Sequence, residues 1–217
     1  MARKSILLLS GGLDSTVAAA LSLRHARPLL ALTVNYGQRA FAAEKDAAAH
    51  FAHNWGCEHH IVDLHWLGRL APNALTDAGI KLESYVDSAG AVASAKKAWI
   101  PARNLVLVSV AAAHADALGA DTIVAGWNRE EGATFPDNSA QFAAAMSRTL
   151  KAFSYRPVEL FLPLLGMTKD DIYEQAVALN LDINRIYPCW GEGPGLCGIC
   201  ESCRRFLQAQ EHYQAQR

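Results

Sequence analysis

Ser5-Ile6-Leu7-Leu8-Leu9-Ser10-Gly11-Gly12-Leu13-Asp14-Ser15 is the stretch on which the reading of the fold turns. Five mostly apolar residues are closed by a Ser-Gly-Gly turn, the pattern of a buried strand feeding a tight turn. Ser15 to Arg24, with Val17, Leu21 and several alanines, then reads as a helix. Outward from this unit the alternation continues. Strands are expected at Leu29 to Val34, His60 to Leu64, Asp121 to Ala125 and Val158 to Leu162. Helices are expected at Phe41 to Trp55, Leu105 to Leu118, Ser139 to Phe153 and Lys169 to Leu179, the last announced by Thr168 as N-cap. Only Gly68 to Lys97 lacks a sustained period, which suggests a lid or small helices. Strand alternating with helix implies an α/β fold, a mostly parallel sheet with helices on both faces. In such sheets ligands sit beyond the carboxyl ends of the strands, so the turn after the first strand is the first place to look for chemistry.

That turn is suited to an anion. Glycines let a ligand approach the main chain, and the N–H groups opening a helix point at it. It has neither the Lys of GxxxxGK[ST] nor the spacing of GxGxxG, so a different nucleotide loop is needed. Two glycines alone would fit an ordinary strand-to-helix turn. The full Ser10-Gly11-Gly12-Leu13-Asp14-Ser15 string resembles the PP-loop of the ATP pyrophosphatases, which cleave ATP between the α and β phosphates. That resemblance implies an adenine nucleotide alpha-hydrolase-like fold and nucleotide binding along Leu9, Ser10, Gly11, Gly12, Leu13, Asp14, Ser15 and Thr16. Ser10, Ser15 and the glycine amides would hold pyrophosphate, and Asp14 would hold Mg²⁺.

Composition bounds the alternatives. The 217 residues, 51% hydrophobic and 19% charged, suffice for one large domain and exclude disorder. Lys and Arg total 20 against 21 Asp and Glu, a balance that speaks against capture of nucleic acid or of an anionic membrane. No apolar run approaches the ~18 residues of a spanning helix. The opening Met1-Ala2-Arg3-Lys4 leads into a short apolar run without a signal peptide's h-region, so the expected location is cytoplasmic.

The chain has five cysteines. Cys57 stands alone and reads as a small buried hydrophobe. Cys189, Cys197, Cys200 and Cys203 crowd one short segment with Gly195 and Gly198. Four thiolates without a His or carboxylate at ligand spacing suggest a closed structural zinc site that folds a tail too small for its own core. Arg204 and Arg205 can balance its charge. Cys-x2-Cys-x2-Cys also occurs around iron–sulfur clusters, which spacing alone leaves open. The domain expectation is therefore residues 1–181 as the nucleotide-binding unit, with 182–217 as a metal-folded segment packed on it.

The loop and the cysteines together resemble the 7-cyano-7-deazaguanine synthase family. Further shared stretches are Tyr36-Gly37-Gln38-Arg39, Ile100-Pro101-Ala102-Arg103-Asn104, Phe135-Pro136-Asp137, Pro163-Leu164 ahead of Lys169, and Cys189-Trp190. The resemblance implies a ligase using 7-carboxy-7-deazaguanine, ammonia and ATP with Mg²⁺, one structural Zn²⁺ per chain, and a homodimer. It implies catalytic roles for Asp14, Arg39, Arg103, Glu131, Asp137 and Lys169. Trp127, Phe135 and Trp190 are candidates to stack a purine-like ring. Familiar members carry Cys-Arg after Pro-Asp, where this chain has Asn138 and Ser139, so another group must recognise the substrate acid if that Arg does so elsewhere. Three alternatives accompany this reading: a PP-loop ligase that stops at the amide or uses another amine, a tRNA thiolation enzyme, which would call for a basic surface, and a non-enzymatic nucleotide sensor on the same scaffold.

Overall fold

The computed structural model of the chain describes residues 3–82 and 96–216. Its sheet has five strands: β1 (Lys4–Leu8), β2 (Arg27–Asn35), β3 (Glu58–Asp63), β4 (Thr122–Val124) and β5 (Glu159–Phe161). They lie in the order β3-β2-β1-β4-β5 and every pairing is parallel. Helices fill the connections: α1 (Leu13–Ser22), α2 (Phe41–Asn54), the single turn α3 (His65–Gly68), α4 (Arg103–Leu118), α5 (Arg129–Thr134), α6 (Ala140–Leu150), α7 (Lys169–Ala178) and α8 (Glu201–Ala215).

The central strands are apolar on both sides because both sides are covered. Leu7, Ala31 and Val124 face one apolar layer, with Val17 of α1, Phe51 of α2, Ile172 of α7 and Phe206 of α8. Ile6, Leu30, Leu32 and Ile123 face the other, with Val108 of α4 and Met146 of α6. Ile6 and Leu7 are both wholly buried, each contributing about 1.5–3 kcal/mol by leaving water.

From β1 the chain winds outward to β2 and β3, then returns to place β4 on the other side of β1. The carboxyl ends of β1 and β4 therefore form the switch point where such sheets open a crevice. The expected strands and helices are found, with ends moved by up to a few residues. At α7 the Thr168 cap forms a full capping box: Thr168 Oγ1 accepts from Asp171 N at 3.2 Å, and Asp171 Oδ2 accepts from Thr168 N at 2.8 Å.

Three helices have no counterpart in the sequence reading: the single turn α3, α5 and α8. α8 carries Phe206 and Ala209 into the α1–α7 layer, with Phe206 edge-on to Tyr173 at 5.6 Å. Of the aperiodic region, residues 83–95 lie outside the described residues. Just before them Asn73 fixes the turns, its Nδ2 donating to the carbonyls of Gly68 and Ala71. No helix among the described residues is long and apolar enough to cross a membrane.

Candidate active site

The Ser10–Asp14 loop lies in the crevice that the topology predicts, and two close packings set its path. Gly11 has φ +78°, and a Cβ there would fall 2.5 Å from Ala47 Cβ and 2.7 Å from Ala48 N, so only glycine lets the loop lie against α2. Gly126, one residue past Ala125 at the end of β4, has the same role from the other side. Its Cβ would stand 2.6 Å from the Asp14 carbonyl carbon. The loop is stiffened internally: Ser10 N donates to Ser15 Oγ at 3.2 Å, Gly12 N to Ser10 Oγ at 3.3 Å, and Ser15 Oγ to Gly12 O at 3.2 Å. No side chain caps α1, and its first intrahelical bond from the loop is Thr16 N to Gly12 O at 3.1 Å. The N–H groups of Leu13, Asp14 and Ser15 are thus available to an anion.

A charged cluster faces this loop. Lys169 Nζ, at the start of α7, donates to both carboxylate oxygens of Asp14 at 2.9 and 2.6 Å. Asn128 Nδ2 adds a third bond to Asp14 at 3.2 Å, while Asn128 Oδ1 caps α5 through Glu131 N at 2.9 Å. Glu131 stands 3.8 Å from the Lys169 ammonium. Burial pushes Lys169 down, but the Asp14 and Glu131 carboxylates outweigh it and hold its ammonium above the usual lysine range. Burial raises the Glu131 carboxyl, against the pull of Lys169.

Beyond the end of β2 a second set lines the same cleft. Arg103 lies with its guanidinium carbon 6.0 Å from the centre of the Tyr36 ring. Burial pushes the Tyr36 hydroxyl up to about 12 despite Arg103. Glu44, on the first turn of α2, accepts from Gln38 Nε2 at 2.9 Å. Burial raises its carboxyl to about 7 even though Gln38 and Arg103 both favour the charged form. Leu32, Val34, Leu107 and Val108 supply an apolar floor.

Ser10, Gly12, Leu13, Asp14, Ser15, Arg103, Glu131 and Lys169 therefore line one cleft, together with Leu9, Trp127 and Trp190. Other expected residues lie around it. Thr16 is fully buried in α1. Arg39 turns towards the cysteine loop, its Nε 3.2 Å from Glu192 Oε1. Asp137 accepts from Asn104 N at 3.1 Å and so holds the start of α4. Phe135 stacks on Trp99 with ring centres 6.1 Å apart. Ser139 caps α6 through Phe142 N. Glu44, Gly126 and Asn128 were not singled out from sequence. Only Gly126, a glycine directly after an expected strand, carried a signal that could have found it.

The cysteine segment closes over the same side of the sheet. The sulfurs of Cys189, Cys197, Cys200 and Cys203 all lie within 4.8 Å of one another, and Cys189, Cys200 and Cys203 are buried. Amide donors surround them: Gly191 N and Cys197 N reach Cys189 Sγ at 3.2 and 3.5 Å, Cys200 N reaches Cys197 Sγ at 3.3 Å, and Cys203 N reaches Cys200 Sγ at 3.4 Å. Hydrogen bonds from the neighbouring thiols hold Cys189 far below the usual thiol range. One ion bonded tetrahedrally to four sulfurs at about 2.3 Å needs them about 3.8 Å apart, inside the 4.8 Å that bounds this set, so the set can hold a metal. Cys57 is apart from it, and burial pushes its thiol up to about 11.

Two links tie this segment to the cleft. Tyr187 N donates to Gly11 O at 2.9 Å, and its hydroxyl donates to the carbonyls of Gly191 at 3.0 Å and Gly193 at 2.9 Å. Arg205 pairs with Glu130 and with Glu201, and Glu130 also accepts from Lys169 N at 2.8 Å.

Comparison with known proteins agrees with this geometry. The structure of a 4-thiouridine synthetase–RNA complex with bound ATP superposes with a TM-score of 0.51 at 19% identity, covering 96% of this chain and 50% of that one, a likeness of fold. The 7-cyano-7-deazaguanine synthase of Methanothermobacter thermautotrophicus is 39% identical over 96% of this chain and 94% of its own. That of Methanosphaera stadtmanae is 37% identical, with coverage of 96% and 94%. The family model described as queuosine biosynthesis protein QueC matches residues 4–214. With nearly every residue matched and relatives well above 30% identical, the chain belongs to the QueC family.

Proposed function

We propose that this chain is a ligase that converts 7-carboxy-7-deazaguanine and ammonia to 7-cyano-7-deazaguanine at the expense of ATP, a step of queuosine biosynthesis. The observation that carries the reading is the convergence of the uncapped α1 loop, Asp14, Lys169 and Glu131 at the switch point, in a chain matched to the QueC family over residues 4–214.

A carboxylate is a poor electrophile until its oxygen becomes a good leaving group. Its oxygen attacks the α-phosphorus of ATP, the bond to pyrophosphate breaks, and ammonia then displaces AMP to give the amide. The amide oxygen attacks a second ATP in the same way, and loss of AMP with the amide protons leaves the nitrile. One adenylating site serves both rounds. Lys169, the α1 amides and Ser10 would balance charge on the phosphates, and Arg103 charge on the acid. Mg²⁺ held by Asp14 would offset charge on the departing pyrophosphate.

Zn²⁺ on Cys189, Cys197, Cys200 and Cys203 would fold the tail. The compact sulfur set favours a single ion, because thiolates on the corners of an iron–sulfur cube stand farther apart. We propose residues 1–181 as the nucleotide-binding unit with 182–217 as the zinc-folded segment on it, in a cytoplasmic homodimer that acts on small molecules and not on nucleic acid.

Incubation with Mg-ATP, ammonia and 7-carboxy-7-deazaguanine, followed by mass analysis, tests the activity. The expected products are nitrile and two AMP per nitrile. An accumulating amide would mean that the reaction stops after one round. Absence of substrate-dependent AMP would overturn the reading. Elemental analysis should find one zinc per chain in a colourless protein, and light scattering should give twice the chain mass.

A further inference from the structure

One buried polar group in the cleft has no role in the scheme above. Asn138 ends the 3-10 turn Pro136–Asn138, lines the cleft and is 2% exposed. Its Nδ2 has no hydrogen-bond partner among the described residues. Buried amide donors are nearly always bonded, so one left unbonded in a residue that lines a cleft points to an acceptor that arrives with a ligand.

The turn is fixed on both sides, so it cannot easily shift to find another partner. Asn138 N donates to Phe135 O at 3.0 Å. The preceding residue, Asp137, is held by Asn104, whose Nδ2 donates to Asp137 O at 3.0 Å. Gly132 of α5 closes on Asn138 so tightly that a Cβ there would lie 3.0 Å from the Asn138 carbonyl oxygen.

The start of α4 contributes Arg103 and Asn104 to the same cleft. A cation and a neutral N–H donor in one cleft suit an oxyanion, because a carboxylate accepts several hydrogen bonds at once. The glycine loop, which suits phosphate, stands on α1 and α2 instead. We infer that Asn138 is a specificity-determining residue that donates a hydrogen bond to the carboxylate of the heterocyclic acid. This inference rests on the reaction proposed above.

Three variants, Asn138→Leu, Asn138→Asp and Asn138→Ala, test it, with KM measured separately for the acid and for ATP and the thermal midpoint measured on the free protein. Asn138→Leu keeps the size and removes the donor. It should raise the acid KM at least tenfold, leave the ATP KM within twofold, and leave the midpoint equal or higher, since the free protein does not use the donor. Asn138→Asp puts a carboxylate against a carboxylate and should penalise the acid more than the neutral amide. An acid KM within twofold of wild type in both Asn138→Leu and Asn138→Asp overturns the inference, as do acid and ATP KM values that rise together. A lower midpoint in Asn138→Leu with an acid KM that Asn138→Ala leaves unchanged marks a structural residue and overturns it too. Wild-type turnover separates the two levels: without it the proposed reaction falls and the inference with it, whereas turnover with unmoved KM values sinks the inference alone.

Discussion

Two loops in this molecule use glycine to turn into a helix, and they are held in place by different forces. The glycine loop before α1 is packed on both sides: a Cβ on Gly11 would overlap α2, and a Cβ on Gly126 would overlap Asp14. The cysteine loop before α8 is open, with nothing within 4 Å of a Cβ on Gly193, Gly195 or Gly198. The helix starts differ in the same sense. α1 has no side-chain cap, whereas Cys200 Sγ caps α8 through Cys203 N. Where the sheet supplies the rigidity, the helix N-terminus is left free for a ligand. Where packing is thin, the thiolates supply the rigidity and the N-terminus is used up in structure.

Removing a thiolate is the largest way to break this contrast. Cys203→Ser should release the proposed Zn²⁺ and unfold the cysteine loop, since thiolate–zinc sites contribute roughly 10–16 kcal/mol of apparent folding energy. Hydrogen exchange should rise sharply through residues 187–203 while β1 and the body of α1 stay protected. Full metal content with unchanged exchange would show that packing holds the loop after all.

A matched pair of glycine substitutions gives the next largest effect. Gly11→Ala should cost about 2 kcal/mol or more in chemical denaturation, from a left-handed backbone together with overpacking against Ala47. Gly195→Ala meets nothing and should stay within about 0.5 kcal/mol of wild type. Equal costs would abolish the distinction between a packed loop and an open one.

The two loops were not equally legible. β1 and its glycine turn stand out in sequence because an apolar run and a Gly-Gly pair are local signals, and the Thr168 cap is local as well. The cysteines announced a ligand set, but Cys200 and Cys203 are also the N-cap and third helical residue of α8. That double use was hidden because the helix buries only a narrow set, Glu201, Cys203, Phe206 and Ala209, beneath a polar surface. Arg39 shows the limit in the other direction. It sits in a motif next to an expected strand end, yet its partner Glu192 lies 153 residues away, a pairing that only the tertiary fold decides. Glu44 carried no signal either, since a glutamate early in an amphipathic helix reads as a solvated charge until Tyr36, Gln38 and Arg103 enclose it.

The last effect, at Glu44, depends on pH and is confined to the glycine-loop side. Its backbone carbonyl is among the atoms that crowd Gly11, at 2.8 Å from where a Cβ would be, and its side chain faces the cleft. Burial raises its carboxyl to about 7, above the roughly 4.3 of an unfolded glutamate. Between those values the folded chain therefore binds more protons than the unfolded one. The stability contributed by this group is full below the unfolded value and is lost as pH rises towards 7, with a slope that approaches about 1.4 kcal/mol per pH unit. Glu44→Gln keeps an oxygen for Gln38 Nε2 and carries no charge, so its stability should lack that slope. Denaturation at pH 5 and pH 8 should show the variant gaining on wild type as pH rises, while its metal content stays unchanged. Parallel curves would place a charged Glu44 in the free protein at both pH values. In that case Arg103, rather than a proton, balances the carboxylate beside the glycine loop.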